Sequence, residues 1–80
     1  METRVAVMSI IVENTKSVEA LNQILHEYRS HIIGRMGLPY HQKNINIISI
    51  AVDAPQDVIS ALSGKIGNLD GVSVTIAFSK

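Results

Sequence analysis

The sequence contains no cysteine among its 80 residues. This absence excludes disulfide bonds, thiolate metal ligands and cysteine nucleophiles, and it is typical of a protein from a reducing cytoplasm. A chain of this length buries only about 60 to 65% of the surface that it exposes when unfolded, so its own core is close to the lower limit for independent stability. Oligomerisation or a bound metal is then the usual source of further stability.

An excess of charge of either sign is also missing, because seven basic and seven acidic residues cancel. Proteins that bind nucleic acid usually present a basic patch, since phosphate contacts supply most of the affinity. The nearest approach to one is the sparse group of Arg29, His31 and Arg35. We therefore expect no direct contact with nucleic acid.

Long apolar runs are absent too, and only two tyrosines and one phenylalanine are present. The apolar residues 5–12 are too few to span a bilayer, and no signal-peptide cleavage pattern follows them. The sequence predicts one soluble cytoplasmic domain over residues 1–80, without membrane contact.

Two segments, residues 4–12 and 45–52, are apolar at both odd and even positions. Strands with this pattern are buried on both faces, so we expect them at the centre of a sheet. Residues 72–78 alternate between apolar and small polar side chains, which predicts an edge strand with one wet face.

A second edge strand is predicted at residues 32–40, where Gly34, Gly37 and Pro39 indicate a short or irregular strand. Residues 41–44 would form the turn that follows it. Edge positions tolerate proline because its missing N–H need not pair.

Two amphipathic helices are predicted between these strands. Asn14 or Thr15 is the expected N-cap of the first, and Asp53 with Gln56 approximates a capping box for the second, with Pro55 in its first turn and Gly67 as its C-cap. The apolar stripes are Val18, Leu21, Ile24, Leu25, Tyr28 and Ile32 in the first helix, and Val58, Ile59, Leu62, Ile66 and Leu69 in the second.

The resulting order β-α-β-β-α-β predicts an α+β ferredoxin-like sandwich, with a four-stranded antiparallel sheet and two helices on one face. Two helices cover only one face of such a sheet, and the central strands are apolar on both. An uncovered apolar face usually marks an interaction site. We therefore expect a homo-oligomer, a dimer or a tetramer, formed through the open sheet face, through edge-strand pairing, or through both.

No pattern of catalytic residues is present. Ser63-Gly64-Lys65 is not a phosphate loop, because it lies inside a helical pattern and lacks the upstream glycine. His26, His31 and His41 are not spaced to converge on a metal, although a site completed across an oligomer interface is an alternative. We predict neither an enzyme nor a cofactor.

Gly64 is unusual, because glycine within a helix costs about 1 kcal/mol relative to alanine. Either the second helix ends early at Gly64, or a partner backbone or ligand approaches that helix closely.

Residues 33–39, 44–50 and 61–67, together with Gly71-Val72, are similar to the small proteins named iron-only hydrogenase system regulators. That resemblance covers nearly the whole chain. It implies an ACT-like fold related to the C-terminal domain of the nickel-responsive repressor, and a non-enzymatic, homo-oligomeric role in regulating an iron-only hydrogenase system through a small-molecule effector or a protein partner.

Two departures limit what the resemblance implies. The nickel site of the repressor uses three histidines and one cysteine, and this chain has no cysteine. Amino-acid-binding ACT domains favour a glycine in the turn after the first strand, where this chain has residues 13–16 without one.

Three functions remain open at this point: a regulator that binds an effector or a partner, a pure assembly module without ligand, and a metal sensor or chaperone for hydrogenase maturation that uses the three histidines. A ligand pocket is expected where Arg35, Gly37, Pro39 and His41 meet a neighbouring subunit. Gly64 is a separate candidate contact for a ligand or a partner. Alternatively, Arg35 is an edge-strand charge that prevents aggregation.

Overall fold

The computed structural model describes residues 2–79. Within them, the elements follow in the order β1 (Arg4–Val12), α1 (Val18–Glu27), β2 (Ile32–Tyr40), β3 (Ile45–Ala54), α2 (Gln56–Gly67) and β4 (Val72–Phe78). Short 3₁₀ turns join some of them, at Thr15–Ser17, Arg29–His31 and His41–Lys43.

The strands of residues 2–79 form one sheet in the order β2-β3-β1-β4, with every neighbouring pair antiparallel. The two strands with apolar residues on both faces, β1 and β3, are central, and the two interrupted or alternating strands are the edges. This confirms the predicted ferredoxin-like fold and its strand placement.

Alternate residues of β1 and β3 form the core beneath the helices. Ala6, Met8, Ile10 and Val12 of β1 are buried, as are Ile48, Ile50, Val52 and Ala54 of β3. The helices cover them with Leu21, Leu25, Ile59, Leu62 and Ile66, all of which belong to the predicted stripes. The odd-numbered residues of β1 lie on the other face, which no helix covers.

The first helix is shorter than its apolar stripe suggests. It ends at Glu27, and the 3₁₀ turn Arg29–His31 redirects the chain, so that Ile32 starts β2 instead of continuing the helix. Ile32 still packs against the core from its strand position. β2 is irregular as predicted, with a register shift between Ile32 and Gly34, but at nine residues it is not short.

The expected capping box of α2 is wrong. Asp53 belongs to β3 and pairs with Val5 in the sheet, so the strand continues to Ala54 and Pro55 is the N-cap residue, without a side-chain cap. At the other end, Gly67 is still helical and Asn68 is the C-cap.

Gly64 lies within α2, which continues past it for another three residues. The interpretation that the helix ends early there is therefore wrong. At the start of the chain's first helical segment, Asn14 does act as an N-cap, accepting a hydrogen bond from the Lys16 N–H of the 3₁₀ turn at 3.0 Å.

Candidate functional site

A groove separates α1 from the edge strand β2. Arg35, Gly37 and Pro39 are paired across the sheet with Ile50, Ile48 and Asn46. Because Ile48 and Ile50 belong to the helix-covered core, these three β2 residues lie on the helix side of the sheet. They form the strand wall of the groove.

One hydrogen bond spans the groove. Arg35 Nη2 donates to Asn22 Oδ1 of α1 at 3.1 Å. The two residues border two adjacent depressions. The first has a volume of about 340 Å³ and is also lined by Leu25, His26, Arg29 and Ile32. The second, of about 260 Å³, is also lined by Val18, Gly37, Leu38, Pro39, Asn46 and Ile48.

The groove carries two arginines, Arg35 at its centre and Arg29 at one end, between largely apolar walls. Arg29 Nη1 donates to the backbone carbonyl of His26 at 2.9 Å, so both arginines in the groove have neutral acceptors. Among residues 2–79, no carboxylate, hydroxyl or thiol side chain lines either depression. Guanidinium groups recognise carboxylates and phosphates through paired N–H donors. The groove is therefore suited to binding an anion and offers no activated nucleophile.

The structure brings together three of the five residues that the sequence singles out. Arg35, Gly37 and Pro39 line the second depression. His41 begins the 3₁₀ turn after β2 and lines neither depression, and Gly64 lies on α2, also outside both. No neighbouring subunit is needed to form the groove walls, although the sequence placed the pocket at an interface.

Asn22, His26 and Arg29 are groove residues that the sequence reading missed. Asn22 and His26 are four residues apart on α1 and therefore share a helix face. That polar pair at the edge of the apolar stripe is the signal that the sequence offers for a site on this side of α1.

The three histidines occupy three separate elements: α1, the turn Arg29–His31 and the turn His41–Lys43. In the part of the chain that the structure describes, no three histidine, aspartate or glutamate side chains lie close enough together to hold a metal ion. The described chain thus offers no metal centre of its own.

A second candidate surface is the sheet face opposite the helices, here called the open face. Its large apolar side chains are Val5, Val7, Ile11, Met36, Leu38, Tyr40 and Ile47. Met36 and Leu38 of β2 are 71% and 60% exposed. Leu38, Ile47 and Ile11 are neighbours in one row across three strands and form a continuous apolar row. The next row, with Ser49 and Ser9, carries hydroxyl groups and separates it from Val7.

Among known families, the chain matches the model described as "TM1266-like: Iron-only hydrogenase system regulator, putative" over residues 4–76. The chain belongs to the TM1266-like family. This TM1266-like chain superposes on a solved structure, the uncharacterized protein TM1266 from Thermotoga maritima, with a TM-score of 0.95 at 34% identity, covering 99% of this chain and 100% of that one. A comparison with curated proteins gave no match.

More distant structures are similar to this TM1266-like chain in fold only. A formyltetrahydrofolate deformylase from Pseudomonas putida KT2440 has a TM-score of 0.66 at 11% identity, with 91% of this chain matching 28% of the enzyme. An unknown protein from Galdieria sulphuraria has a TM-score of 0.66 at 13% identity, over 99% of this chain and 46% of that one.

Among the described residues of the TM1266-like chain, no helix has the length and apolar character needed to cross a membrane.

Proposed function

We propose that this TM1266-like protein is a non-enzymatic, cytoplasmic regulator of an iron-only hydrogenase system that works as a homo-oligomer assembled through its open face. The hydrogenase assignment follows from the family to which the chain belongs. The observation that carries the assembly is the set of exposed large apolar side chains on the open face, which neither α1 nor α2 covers.

The area of the open face supports a second copy of the chain as its partner. From their exposed fractions, the seven large apolar residues expose a total area on the order of 600 Å². In an interface of standard size, each partner buries about 800 Å². A patch of this size is at the upper limit for the surface of a soluble monomer.

Packing of faces is favoured over pairing of edges. β2 is a long edge strand, but the register shift between Ile32 and Gly34 interrupts one end of it and Pro39 lacks an N–H near the other. Bulges and prolines are the features with which proteins prevent edge strands from pairing. Nevertheless, β2 carries the most exposed apolar side chains of the open face, Met36 and Leu38.

The assembly is tested by size-exclusion chromatography with light scattering at micromolar concentration. We expect the native chain to have the mass of a dimer or tetramer and Leu38→Lys to lower that mass, because a lysine buried within an apolar interface would be desolvated. Gln23→Lys is the matched control, since it adds the same charge on an exposed position of α1. A monomeric native chain would contradict the assembly.

The regulatory role is tested by deleting the gene in its own host. Deletion should change the transcript level or activity of the iron-only hydrogenase, and complementation with Gln23→Lys, but not with Leu38→Lys, should restore it. Unchanged hydrogenase expression and activity in the deletion strain would rule out this role, whatever the oligomeric state.

A further inference from the structure

We propose that the groove between α1 and β2 is an effector site for a small organic carboxylate that carries a short apolar group and no ammonium group. The site is centred on Arg35 and Asn22, with Arg29 at one end. Its regulatory meaning rests on the proposed function, but the binding itself does not.

Unbalanced positive charge is the first reason. A guanidinium carries five N–H donors, and among residues 2–79 the side chains of Arg29 and Arg35 each donate one hydrogen bond, to a neutral oxygen. Within the described part of the chain, no carboxylate lines the groove to neutralise them. A ligand carboxylate can therefore accept from Arg35 through paired N–H donors without displacing an internal ion pair.

Apolar walls beside Arg35 define the rest of the ligand. Leu25 and Ile32 line the first depression, and Val18 and Ile48 line the second. Volumes of about 340 and 260 Å³ are at the small end of the range for ligand sites. An aliphatic group of a few carbons next to the carboxylate matches this size and lining.

The same lining argues against an amino acid. A free amino acid carries an ammonium group as well as a carboxylate, and ammonium groups are usually bound by carboxylates or by several oxygens. Within the two depressions the side-chain oxygens belong to Asn22 and Asn46 alone, and Asn22 already accepts from Arg35. The ammonium would lie beside two guanidinium groups of the same charge without a carboxylate to pair with, which disfavours binding.

Gly37 keeps the second depression open. It lies opposite Ile48 on the helix side of the sheet, and a Cβ placed on it would have no heavy atom within 4 Å. A side chain at this position would therefore enter the depression without disturbing the fold, which makes Gly37 the natural site for a blocking substitution.

The site also lies next to the proposed interface. Arg35 and Gly37 alternate along β2 with Met36 and Leu38, so one strand presents its two faces to the groove and to the open face. A ligand that fixes β2 through Arg35 would act directly on the strand that carries the most exposed part of the open face. Binding of an effector could therefore change the oligomeric state through a single strand, β2.

Isothermal titration calorimetry of the full chain with 4-methyl-2-oxopentanoate tests the site. We expect saturable binding with one site per chain, at least about tenfold weaker in Arg35→Ala because a charge-assisted pair is lost, and partly restored in Arg35→Lys, which keeps the charge without the paired donors. Gly37→Leu should weaken binding to a similar degree by occupying the space. Lys43→Ala removes a charge outside the groove and should bind like the native chain.

Two further probes define the ligand class. Leucine has the same carbon skeleton with an ammonium group, and inorganic phosphate has the charge without the apolar group, so both should bind at least tenfold more weakly. Equal binding of leucine would overturn the exclusion of amino acids, and equal binding of phosphate would overturn the apolar subsite. No saturable binding of the oxo acid, or binding unchanged in Arg35→Ala, would overturn the site itself.

Light scattering on the same samples separates this proposal from the proposed function. Arg35→Ala should keep the native oligomeric mass, because Arg35 is on the helix side of β2. Loss of ligand binding with intact assembly supports the effector site. A monomeric native chain that still binds the oxo acid would contradict the assembly alone.

Discussion

A Cβ atom placed on Gly71 would lie only 2.6 Å from the Cβ of Asn14 and 2.9 Å from its backbone nitrogen. The turn before β4 therefore packs closely against the residues that follow β1. Glu13 N–H donates to the Gly71 carbonyl at 2.7 Å, and Asn14 Nδ2 donates to Asp70 Oδ2 at 2.8 Å. These contacts join the two halves of the chain at one corner of the sheet.

Gly71→Ala should destabilise the fold strongly. Gly71 has a φ of +70°, which costs an alanine free energy by itself, and the new methyl group would also clash with backbone atoms that cannot move aside. We expect the free energy of unfolding to fall by at least about 2 kcal/mol. Urea unfolding at a fixed protomer concentration measures it, and a loss below half that size would show that the corner can relax.

Gly64→Ala should have the opposite effect. α2 continues through Gly64, and an added Cβ would meet nothing within 4 Å. Alanine should therefore stabilise the helix by about 0.5 to 1 kcal/mol, measured by the same urea titration. A destabilised variant would mean that something outside the single chain packs against Gly64, and a lower oligomeric mass in Gly64→Leu would then identify α2 as a contact surface.

Ser17→Ala should cost about 1 to 2 kcal/mol, because it leaves a partly buried carbonyl without its donor. Ser17 is 7% exposed, and its Oγ donates to the Asp70 carbonyl at 2.6 Å. Thermal unfolding should give a lower melting temperature for Ser17→Ala than for the exposed control Ser30→Ala. The free energy of unfolding of the control should lie within about 0.5 kcal/mol of that of the native chain. Equal melting temperatures would contradict a role for this hydrogen bond.

The fold could be predicted because the patterns of strands and helices agree. Val7 and Met8 lie on opposite faces of β1, and both are apolar, which places β1 inside the sheet before any contact is known. Element ends were less predictable. Asp53 has the character of a helix cap, yet its pairing with Val5 keeps it in β3, because the sheet register overrides local capping preference.

The sequence predicts the strand wall of the groove but not its helix wall. Arg35, Gly37 and Pro39 alternate along one strand, and the sequence already predicts a ligand pocket at these residues. Asn22 lies 13 residues before Arg35, and the hydrogen bond between them depends on how α1 rotates over the sheet. Neither periodicity nor composition determines that rotation, so the helix wall of the groove could be recognised only in three dimensions.

Cysteine cross-linking can show which surfaces meet in the oligomer, since the native chain has no cysteine to interfere. Ser9 lies at the middle of the open face, between Ser49 of β3 and Thr75 of β4, whereas Ser60 is exposed on α2. If two open faces pack against each other, Ser9→Cys should give covalent dimers with a short bismaleimide, because packed sheets are about 10 Å apart.

Ser60→Cys should remain monomeric on a denaturing gel under the same conditions. Pairing of β2 edges in one extended sheet would place the two Ser9 positions several strands apart, at about 4.8 Å per strand, and would leave Ser9→Cys unlinked despite a dimeric mass in solution. Cross-linking of Ser60→Cys alone would instead place the contact on α2. The pattern of the two variants thus distinguishes packing of the open face from both other modes of assembly.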